Sequence, residues 1–302
     1  MKPSVYGAIY GALVADAFSL GGHWVYETSE IKKKFPTLEG FYDPMTEYHG
    51  QKKAGDFTHY GDQCMWLLES ISLEKEFSLA SFSSRWKEYM SEYTGYIDGA
   101  SKTTLENLNA GKSAIEAGST SQDLSVVGRI CPLALLYCDT QKEFEDAAVL
   151  QSKMTHDSPA VLETTRFFSQ LLYLVLQGYT PKNSVLAMLE ESHDEKIKIW
   201  MKTALASVEH DTTEAIKSCG QSCNVNGACP SALHLILKYE NDYARAMKEN
   251  VYAGGDSAAR GMVAGMILGA YNGLEKIPQE WISALSNKNR IEQYIGVLRD
   301  NK

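Results

Sequence analysis

Two helical segments with regularly spaced small residues, one near each end of the chain, constrain the fold more than any other feature. In the C-terminal segment Gly261, Gly265 and Gly269 recur every four residues after Asp256, a residue type favoured at helix N-caps. Each glycine inside a helix costs about 1 kcal/mol relative to alanine, so a stripe of them indicates close approach of another backbone. Small residues recur at the same spacing near the N-terminus, at Gly7, Gly11, Ala15 and Ser19. The sequence therefore predicts that the first and last long helices cross in direct contact at the centre of the molecule.

Helical periodicity dominates the rest of the 302-residue chain, and β-type alternation is scarce. The spacing predicts an all-α protein with helices at 3–20, 61–73, 78–94, 100–112, 125–138, 142–154, 158–177, 181–191, 193–207, 211–218, 229–240, 242–251, 257–271, 278–285 and 288–299. No linker, low-complexity segment or internal repeat marks a boundary, so we expect one domain over residues 1–302. The longest segment without a helical pattern is 21–60, and long ordered loops are usually functional.

An excess of acidic residues limits the classes of partner. The chain has 38 acidic and 29 basic residues and a formal charge of −9, which argues against general electrostatic binding to nucleic acid or to anionic membranes. The apolar N-terminal run is interrupted by Asp16 and has only Lys2 as a positive flank, so we interpret it as a helix rather than a targeting segment. We expect a cytoplasmic protein with small-molecule or protein partners; the sequence does not indicate its oligomeric state.

The six cysteines are too sparse for a disulfide framework and indicate reduced thiols. Cys219, Cys223 and Cys229 are close enough in sequence for a metal or disulfide cluster. That interpretation is the weaker one, because the run has neither a CxxC pair nor a histidine partner.

Two aspartates lie at predicted helix starts. Asp256 follows two glycines, and Asp62 follows Gly61 ahead of an apolar helix face. Either aspartate alone is fully explained as a helix cap. As a pair they would offer two carboxylates for acid–base chemistry or for a metal ion, provided that the fold brings them together.

The segment directly after the first helix places an imidazole, an indole and a phenol next to a glycine turn, at His23, Trp24 and Tyr26. Aromatic faces stack on bases for about 1–3 kcal/mol each, and His23 could act as an acid, a base or a hydrogen-bond donor. This composition suits a nucleobase or a sugar. The alternative, equally open, is a helix-capping loop whose Trp24 fills the core.

Two further segments open helices with small or polar residues. Ser101 lies at the start of the predicted helix 100–112, and His156 lies just before the helix 158–177. Helix N-termini bind anions, so either segment could receive a phosphate, although a lone histidine in such a place is more often structural. We expect Arg129, next to an apolar helix, to pair with a core carboxylate.

In order along nearly the whole chain, these segments resemble the ADP-ribosylglycohydrolase family, and within it the branch that includes the J-type lens crystallins. The resemblance is carried by GALVADAFSLGGHWVYE at 11–27, YGDQCMWLLES at 60–70, GASKTTLENL at 99–108, GRICPLALLY at 128–137, THDSPAV at 155–161 and GGDSAARGMVAGMILGA at 254–270. That family has an all-α fold and uses two magnesium ions to cleave the bond between ADP-ribose and a protein side chain or another group. The resemblance implies a glycoside hydrolase whose partner is a nucleotide-like small molecule or an ADP-ribosylated protein.

The resemblance also implies a set of site residues. The implied catalytic residues are Asp62, Asp256 and His23, although His23 stands where many members carry an acidic residue and Glu27 is the nearest substitute. The implied substrate-binding residues are Trp24, Tyr26, Tyr60, Gln63, Ser101 and His156.

The metal motifs of the family are incomplete in this chain. Thr-Asp-Asp-Thr corresponds to residues 60–63, which keep only Asp62, and Gly-Gly-Asp-x-Asp with a following Thr or Ser corresponds to 254–259, which keep only Asp256. Magnesium needs near-octahedral oxygen ligands, so we expect these two aspartates to hold at most one magnesium ion or none, and any hydrolysis to be weak. The alternative function is a catalytically silent relative that binds a nucleotide-like ligand or serves as a crystallin-like structural protein.

Overall fold

The computed structural model describes residues 2–192 and 194–299, and that part of the chain contains helices and no β-strand. The α-helices are α1 Pro3–Ser19, α2 Thr28–Lys34, α3 His59–Glu74, α4 Leu79–Ser91, α5 Gly99–Asn109, α6 Ser125–Gly128, α7 Ala134–Tyr137, α8 Gln141–Lys153, α9 Pro159–Leu176, α10 Pro181–Glu191, α11 Glu195–Ser207, α12 Thr212–Cys219, α13 Val225–Lys238, α14 Tyr243–Tyr252, α15 Ser257–Asn272, α16 Gln279–Ala284 and α17 Lys288–Arg299. Short 3₁₀ helices lie at Leu20–Gly22, Glu47–His49, Cys131–Leu133 and Leu274–Lys276. The all-α prediction is confirmed.

Helices α1 and α15 cross at the centre of the molecule, as the glycine stripes predict. A Cβ atom at Gly7 would overlap the carbonyl oxygen of Gly269 and lie 2.9 Å from its carbonyl carbon. A Cβ at Gly11 would lie 3.0 Å from the carbonyl carbon of Gly265, and one at Gly265 would lie 2.7 Å from the Ala15 Cβ. The two backbones therefore approach to a distance that only glycine allows.

Helix α1 is the central core helix. By length and composition the segment Pro3–Gly22 could span a membrane, but 94% of its apolar stretch is buried inside the protein. Asp16 lies fully buried on this helix, and Tyr243 OH donates a hydrogen bond to the carbonyl oxygen of Gly11 at 2.7 Å. The N-terminal apolar run is therefore a packed helix, as the sequence indicates.

Two predicted helices have the wrong extent, one because of a proline and the other because of an N-cap that lies further upstream. The predicted helix 125–138 is divided into α6, a 3₁₀ turn and α7, because Pro132 has no N–H to donate and its ring crowds the preceding turn. Helix α13 begins before the predicted residue 229, since the Asn224 side chain caps it by accepting from Asn226 N at 3.0 Å. Pro230 then lies inside α13.

The sequence predicts no helix in the segment 21–60, but the structure has α2 there. Glu27 caps this helix, because its Oε1 accepts from Ser29 N at 3.1 Å. Seven residues are too few to show a helical period in the sequence. The remainder of the segment leads through the 3₁₀ turn Glu47–His49 to α3 and carries the residues that surround Trp24.

Candidate functional site

The site lies where the N-terminus of α15 meets the segment after α1. Trp24 N donates to Gly255 O at 2.9 Å, and Gly255 N donates to Val25 O at 2.8 Å. Gly254 and Gly255 both have positive φ, at 69° and 68°, a conformation that glycine adopts at little cost. This glycine turn sets the first turn of α15 against the aromatic segment.

Asp256 is the residue on which these segments converge. It caps α15, because its Oδ1 accepts from Ala259 N at 3.0 Å. Its Oδ2 accepts from Trp24 Nε1 at 3.2 Å and from Tyr60 OH at 3.0 Å. The carboxylate is almost fully buried, so the cap that the sequence explains is also the centre of a polar site.

His23 is held neutral beside Asp256. Its Nδ1 accepts from Ala258 N at 3.4 Å and lies 3.7 Å from Asp256 Oδ1. Burial, with smaller contributions from the neighbouring His49 and Arg260, holds the pKa of His23 well below its usual range. Since Nδ1 accepts, Nε2 carries the proton, and Nε2 is buried with no protein partner.

The Trp24 indole is packed among rings instead of presenting a free face. It stacks on His23 with centroids 4.4 Å apart. Four further rings have centroids between 4.8 and 5.6 Å from it, and they belong to Tyr48, His49, His59 and Tyr96. Trp24 also has a φ of 62°, a left-handed conformation that is costly for a bulky residue. Residues with such strained backbone conformations are often found at functional sites. A ligand that stacks on this indole must displace one of the rings.

Asp123 and Cys223 complete the polar group around Asp256. One donor atom from each of the three side chains lies within 4.8 Å of the others. A short antiparallel bridge between Asp123 and Asn224, with a hydrogen bond from Leu124 N to Cys223 O at 2.9 Å, brings the two segments together. In the described residues no other group of three such side chains converges in this way.

The electrostatics of this group leave a proton on Asp123 near neutral pH. Burial and the negative charge of Asp256 raise the pKa of Asp123 to about 7, although Ser125 N donates to its Oδ1 at 2.8 Å. Burial and both carboxylates also raise the pKa of Cys223, whose thiol hydrogen-bonds to Asp123. A carboxyl group with a transferable proton therefore lies next to Asp256.

Asp62 has different partners from Asp256. Its Oδ2 lies 2.5 Å from Lys52 Nζ and accepts from Tyr93 OH at 2.5 Å. Burial raises the pKa of Asp62, against the opposing effect of the Lys52 charge and of both hydrogen bonds. The buried Asp16 lies near, accepting from Thr58 N at 2.7 Å and from Thr58 Oγ1 at 2.6 Å. The fold thus gives the two predicted catalytic aspartates separate surroundings.

Two neutral histidines connect Asp98 to the Trp24 cluster. His49 Nε2 lies 3.3 Å from His59 Nδ1, and His59 Nε2 lies 3.5 Å from Asp98 Oδ2. Burial lowers the pKa of His59 to about 4 and that of His49 to about 3. Each ring therefore carries one proton. A proton on His59 Nε2 faces Asp98, which leaves His59 Nδ1 to accept from His49 and leaves His49 Nδ1 as an unused acceptor.

Ser101 and Gln63 lie in the site with internal hydrogen-bond partners. Ser101 donates from its N and its Oγ to Asp98 at 2.8 Å each, so Asp98 is the N-cap of α5. Gln63 Nε2 donates to Ser101 Oγ at 3.2 Å, and Gln63 Oε1 accepts from Trp86 Nε1 at 2.9 Å and Arg129 Nη1 at 2.8 Å. These bonds order the wall of the site.

The sequence predicts that Arg129 pairs with a core carboxylate, but its hydrogen-bond acceptors in the structure are neutral. It donates to Gln151 Oε1 at 2.7 Å, to Gln63 Oε1 at 2.8 Å and to Thr155 Oγ1 at 2.8 Å. These neutral acceptors match the fork of the guanidinium, whose burial lowers the pKa to about 10. The prediction was wrong because amide oxygens can satisfy a buried guanidinium without a countercharge in contact.

His156 and Tyr26 lie at the two sides of the site. His156 Nδ1 lies 2.9 Å from Thr155 Oγ1, and its buried Nε2 has no protein partner; it lines a small cleft with Tyr60, Asp98 and Ser125. Tyr26 is 52% exposed. Burial and the charge of Asp256 raise the pKa of Tyr26.

The residues that sequence reasoning missed are Lys52, His49, His59, Asp98, Asp123 and Cys223. Asp98 carried a usable signal, since it precedes Ser101 at N-cap spacing. Cys223 was noted only with its neighbouring cysteines, but the structure pairs it with two carboxylates instead. Lys52 and Asp123 lie in irregular segments, where no periodicity indicates what a side chain meets. His49 ends a 3₁₀ turn and His59 is the first residue of α3, so neither lies within a long periodic helix.

The donor set does not fit a two-magnesium centre. Ala258 and Ala259 offer no side-chain oxygen, and Asp62 is engaged by Lys52. The side chains that do converge on Asp256 include a thiol, which suits a softer ion than magnesium. The group could hold one ion, but not the symmetric pair that the family resemblance implies.

Comparisons with known proteins extend over nearly the whole chain. A protein-family model described as ADP-ribosylglycohydrolase matches residues 2–301. Crystallin J1A and crystallin J1B of Tripedalia cystophora are 26% and 24% identical, over 97% of this chain and 95% of each of theirs. An uncharacterized protein of Archaeoglobus fulgidus is 22% identical over the same shares. A solved structure described as an ADP-ribosylglycohydrolase-related protein complex has a TM-score of 0.74 at 21% identity, over 98% of this chain and 97% of that one.

Proposed function

Because the chain belongs to the ADP-ribosylglycohydrolase family, we propose that it hydrolyses an N- or O-glycosidic bond of an ADP-ribosyl or related riboside substrate without a two-magnesium centre. The observation that carries this proposal is the pair of Asp123 and Asp256, of which Asp256 is buried and Asp123 is partly exposed. Their nearest oxygens lie within 4.8 Å, and paired carboxylates at such a separation are the catalytic groups of metal-independent retaining glycosidases.

The two carboxylates have environments that suit different roles. Asp123, with a pKa raised to about 7, holds a proton at neutral pH and acts as the general acid that protonates the leaving group. Asp256 accepts from Trp24, Tyr60 and the backbone at the N-terminus of α15, where the helix dipole favours negative charge. Asp256 attacks the anomeric carbon as the bond to the leaving group breaks, and a glycosyl ester of Asp256 forms. Asp123, now a carboxylate, takes a proton from water, and the water oxygen attacks the anomeric carbon and releases Asp256.

The cleft beside Asp123 has the chemistry of a sugar or phosphate site. It has a volume of about 280 Å³, and its lining residues include Gly99, Thr103, Ser119 and Ser121. Hydroxyl groups suit ribose, and the N-terminus of α5 at Gly99 offers backbone N–H groups to a phosphate. His156, whose Nε2 has no protein partner, lines a second small cleft that shares Asp98 with this one.

Asp62 has a positioning role in this proposal. Its bonds to Lys52 and Tyr93 tie the segment before α3 and the segment after α4 to the first turn of α3. Those two segments carry Tyr48 and Tyr96, which cover Trp24.

A catalytically silent, ligand-binding protein is the second candidate function. The observation that favours it is the ring cluster around Trp24, in which His23 stacks on the indole and Tyr48 and Tyr96 make edge contacts with it. Two of the similar proteins are named as crystallins. In this case the cleft would bind a nucleotide-like ligand without cleaving it.

One experiment separates the two candidates. Purified protein is incubated with N- and O-linked ADP-ribosyl peptides, with magnesium or with EDTA, and released ADP-ribose is measured alongside thermal shifts with ADP-ribose. We expect release that EDTA does not abolish and that Asp123→Asn and Asp256→Asn each remove. A thermal shift without release supports the silent protein, and release that stops in EDTA contradicts the metal-independent mechanism.

A further inference from the structure

Asp62 is the aspartate of the first family metal motif, yet it is already paired with a cation of the protein itself. Lys52 Nζ and Tyr93 OH each lie 2.5 Å from Asp62 Oδ2. The side chains of Lys52 and Asp62 are only 19% and 15% exposed, so this is a largely desolvated ion pair. We propose that the Lys52 ammonium is a built-in cation that takes the place of a divalent metal ion at Asp62.

A metal ion and Lys52 cannot share Asp62 favourably. Magnesium–oxygen bonds are about 2.0–2.1 Å long, so an ion on Asp62 Oδ2 would lie within about 5 Å of the Lys52 nitrogen. Like charges at that separation repel strongly where water is largely excluded. A divalent ion must therefore displace Lys52, and it must also replace the hydrogen bond from Tyr93.

The neighbouring position is closed to a second carboxylate as well. A Cβ at Gly61 would overlap a carboxylate oxygen of Asp16 and lie 2.8 Å from the Phe57 Cβ. Asp16 is fixed there by its two hydrogen bonds from Thr58. Asp16 therefore fills the space that a carboxylate side chain at position 61 would need. Lys52 balances the charge of Asp62, the aspartate that the motif retains.

The backbone around Lys52 supports this geometry and supplies a matched control. Lys52 N donates to His49 O at 2.8 Å, which holds the backbone of the lysine in place. The next residue, Lys53, has a side chain that is 73% exposed and pairs with Asp43 at 3.4 Å. Lys53 therefore has the same charge one residue away but no contact with Asp62.

The test is a cation titration of matched variants. Lys52→Met removes the ammonium and keeps the aliphatic stem, and Lys53→Met is the control. Each variant and the wild type are titrated with Mn²⁺ and Mg²⁺ by calorimetry and by thermal unfolding, alone and combined with Asp62→Asn. We expect Lys52→Met to gain a site that binds Mn²⁺ at least tenfold more tightly than the wild type does at Asp62. Asp62→Asn should remove this gain and leave the wild type and Lys53→Met unaffected.

Two results would overturn the proposal. One is wild-type cation binding that Asp62→Asn abolishes, because the ion would then bind Asp62 despite Lys52. The other is folded Lys52→Met protein that binds no more cation than the wild type. Lys52→Gln, which retains a hydrogen-bond donor, replaces Lys52→Met if that variant does not fold. Any ion at Asp123, Cys223 and Asp256 cancels in the comparison with Asp62→Asn, and the readout does not depend on hydrolysis.

Discussion

At the scale of single residues, burial sets the chemistry of this protein more than residue type does. Asp123 and Asp62 are both aspartates whose pKa burial raises, but Asp62 faces a lysine and Asp123 faces another carboxylate. Asp123 therefore holds a proton near neutral pH, whereas the contacts of Asp62 with Lys52 and Tyr93 suit its ionised form. The neighbouring charge, a lysine for Asp62 and a carboxylate for Asp123, therefore decides the role of each aspartate.

Asp123→Asn should lower kcat/KM for ADP-ribosyl substrates by about 10²–10⁴-fold, because the general acid is lost. In the wild type the same group must be protonated to act, so kcat/KM should fall as pH rises above about 7, the pKa of Asp123. A pH–rate profile measured on both proteins checks this prediction. A wild-type profile that is flat between pH 6 and 8.5, or a variant with full activity, would contradict the assignment.

His234 should make the protein less stable as pH falls. Its ring is buried between Ser207 Oγ at 2.8 Å and Thr212 Oγ1 at 3.1 Å, and burial lowers its pKa from 6.5 to about 4. The unfolded chain therefore binds the proton more readily than the folded one between these pH values. The neutral ring contributes up to about 3 kcal/mol above pH 6.5, and this contribution is lost as pH falls toward 4.

Urea unfolding of the wild type and of His234→Gln between pH 4 and 7.5 measures this contribution. We expect the variant to be less stable at pH 7.5 and to lose less stability on acidification. Parallel pH dependences for the two proteins would show that His234 does not contribute.

At the scale of elements, the pair α1 and α15 determines the architecture. The same two helices that cross through glycines also carry the ends from which the site is built, because Trp24 follows α1 and Asp256 begins α15. The close crossing fixes these ends relative to each other. Bulk at the crossing should therefore disturb the site as well as the core.

Gly11→Ala should destabilise the protein by about 1–3 kcal/mol or more, because the new methyl group would overlap the Gly265 carbonyl group. The matched control is Gly296→Ala in α17, where a Cβ meets nothing within 4 Å. That substitution should stabilise by about 0.5–1 kcal/mol through helix propensity. Urea unfolding of both variants checks the prediction, which fails if the two substitutions have similar effects.

At the scale of the whole molecule, the solvent exposure of the six cysteines shows how well the core is protected from solvent. None of the six forms a disulfide; Cys64, Cys131, Cys138 and Cys229 are buried, and Cys219 and Cys223 are partly exposed. Cys64 and Cys131 come from different helical segments, yet their sulfurs lie 3.6 Å apart in the core.

Titration of the native protein with a thiol reagent should therefore modify Cys219 and Cys223, with Cys223 reacting slowly because burial and Asp123 raise its pKa. The four buried thiols should react only after unfolding. Mass spectrometry of the modified peptides identifies the sites. Rapid labelling of Cys64 or Cys131 in the native protein would show that the core opens far more readily than its packing implies.

The sequence by itself determined the helical class, the crossing of α1 and α15 and the capping role of Asp256. Each of these depends on local periodicity or on residues a few positions apart, and backbone geometry translates such spacing directly into structure. The errors in the predicted helices also have local causes. Pro132 divides the predicted helix 125–138, and α2 is too short to show a helical period.

Only the tertiary structure decided which side chains share a site. Asp256 meets Asp123 and Cys223, and Asp62 meets Lys52, across irregular segments whose paths no periodicity encodes. The sequence shows a carboxylate and a lysine ten residues apart, but whether they touch depends on how the segment between them packs against α3. Contacts of this kind set the pKa of Asp123 and the charge balance of Asp62, because electrostatic interaction depends on distance and burial and not on order along the chain.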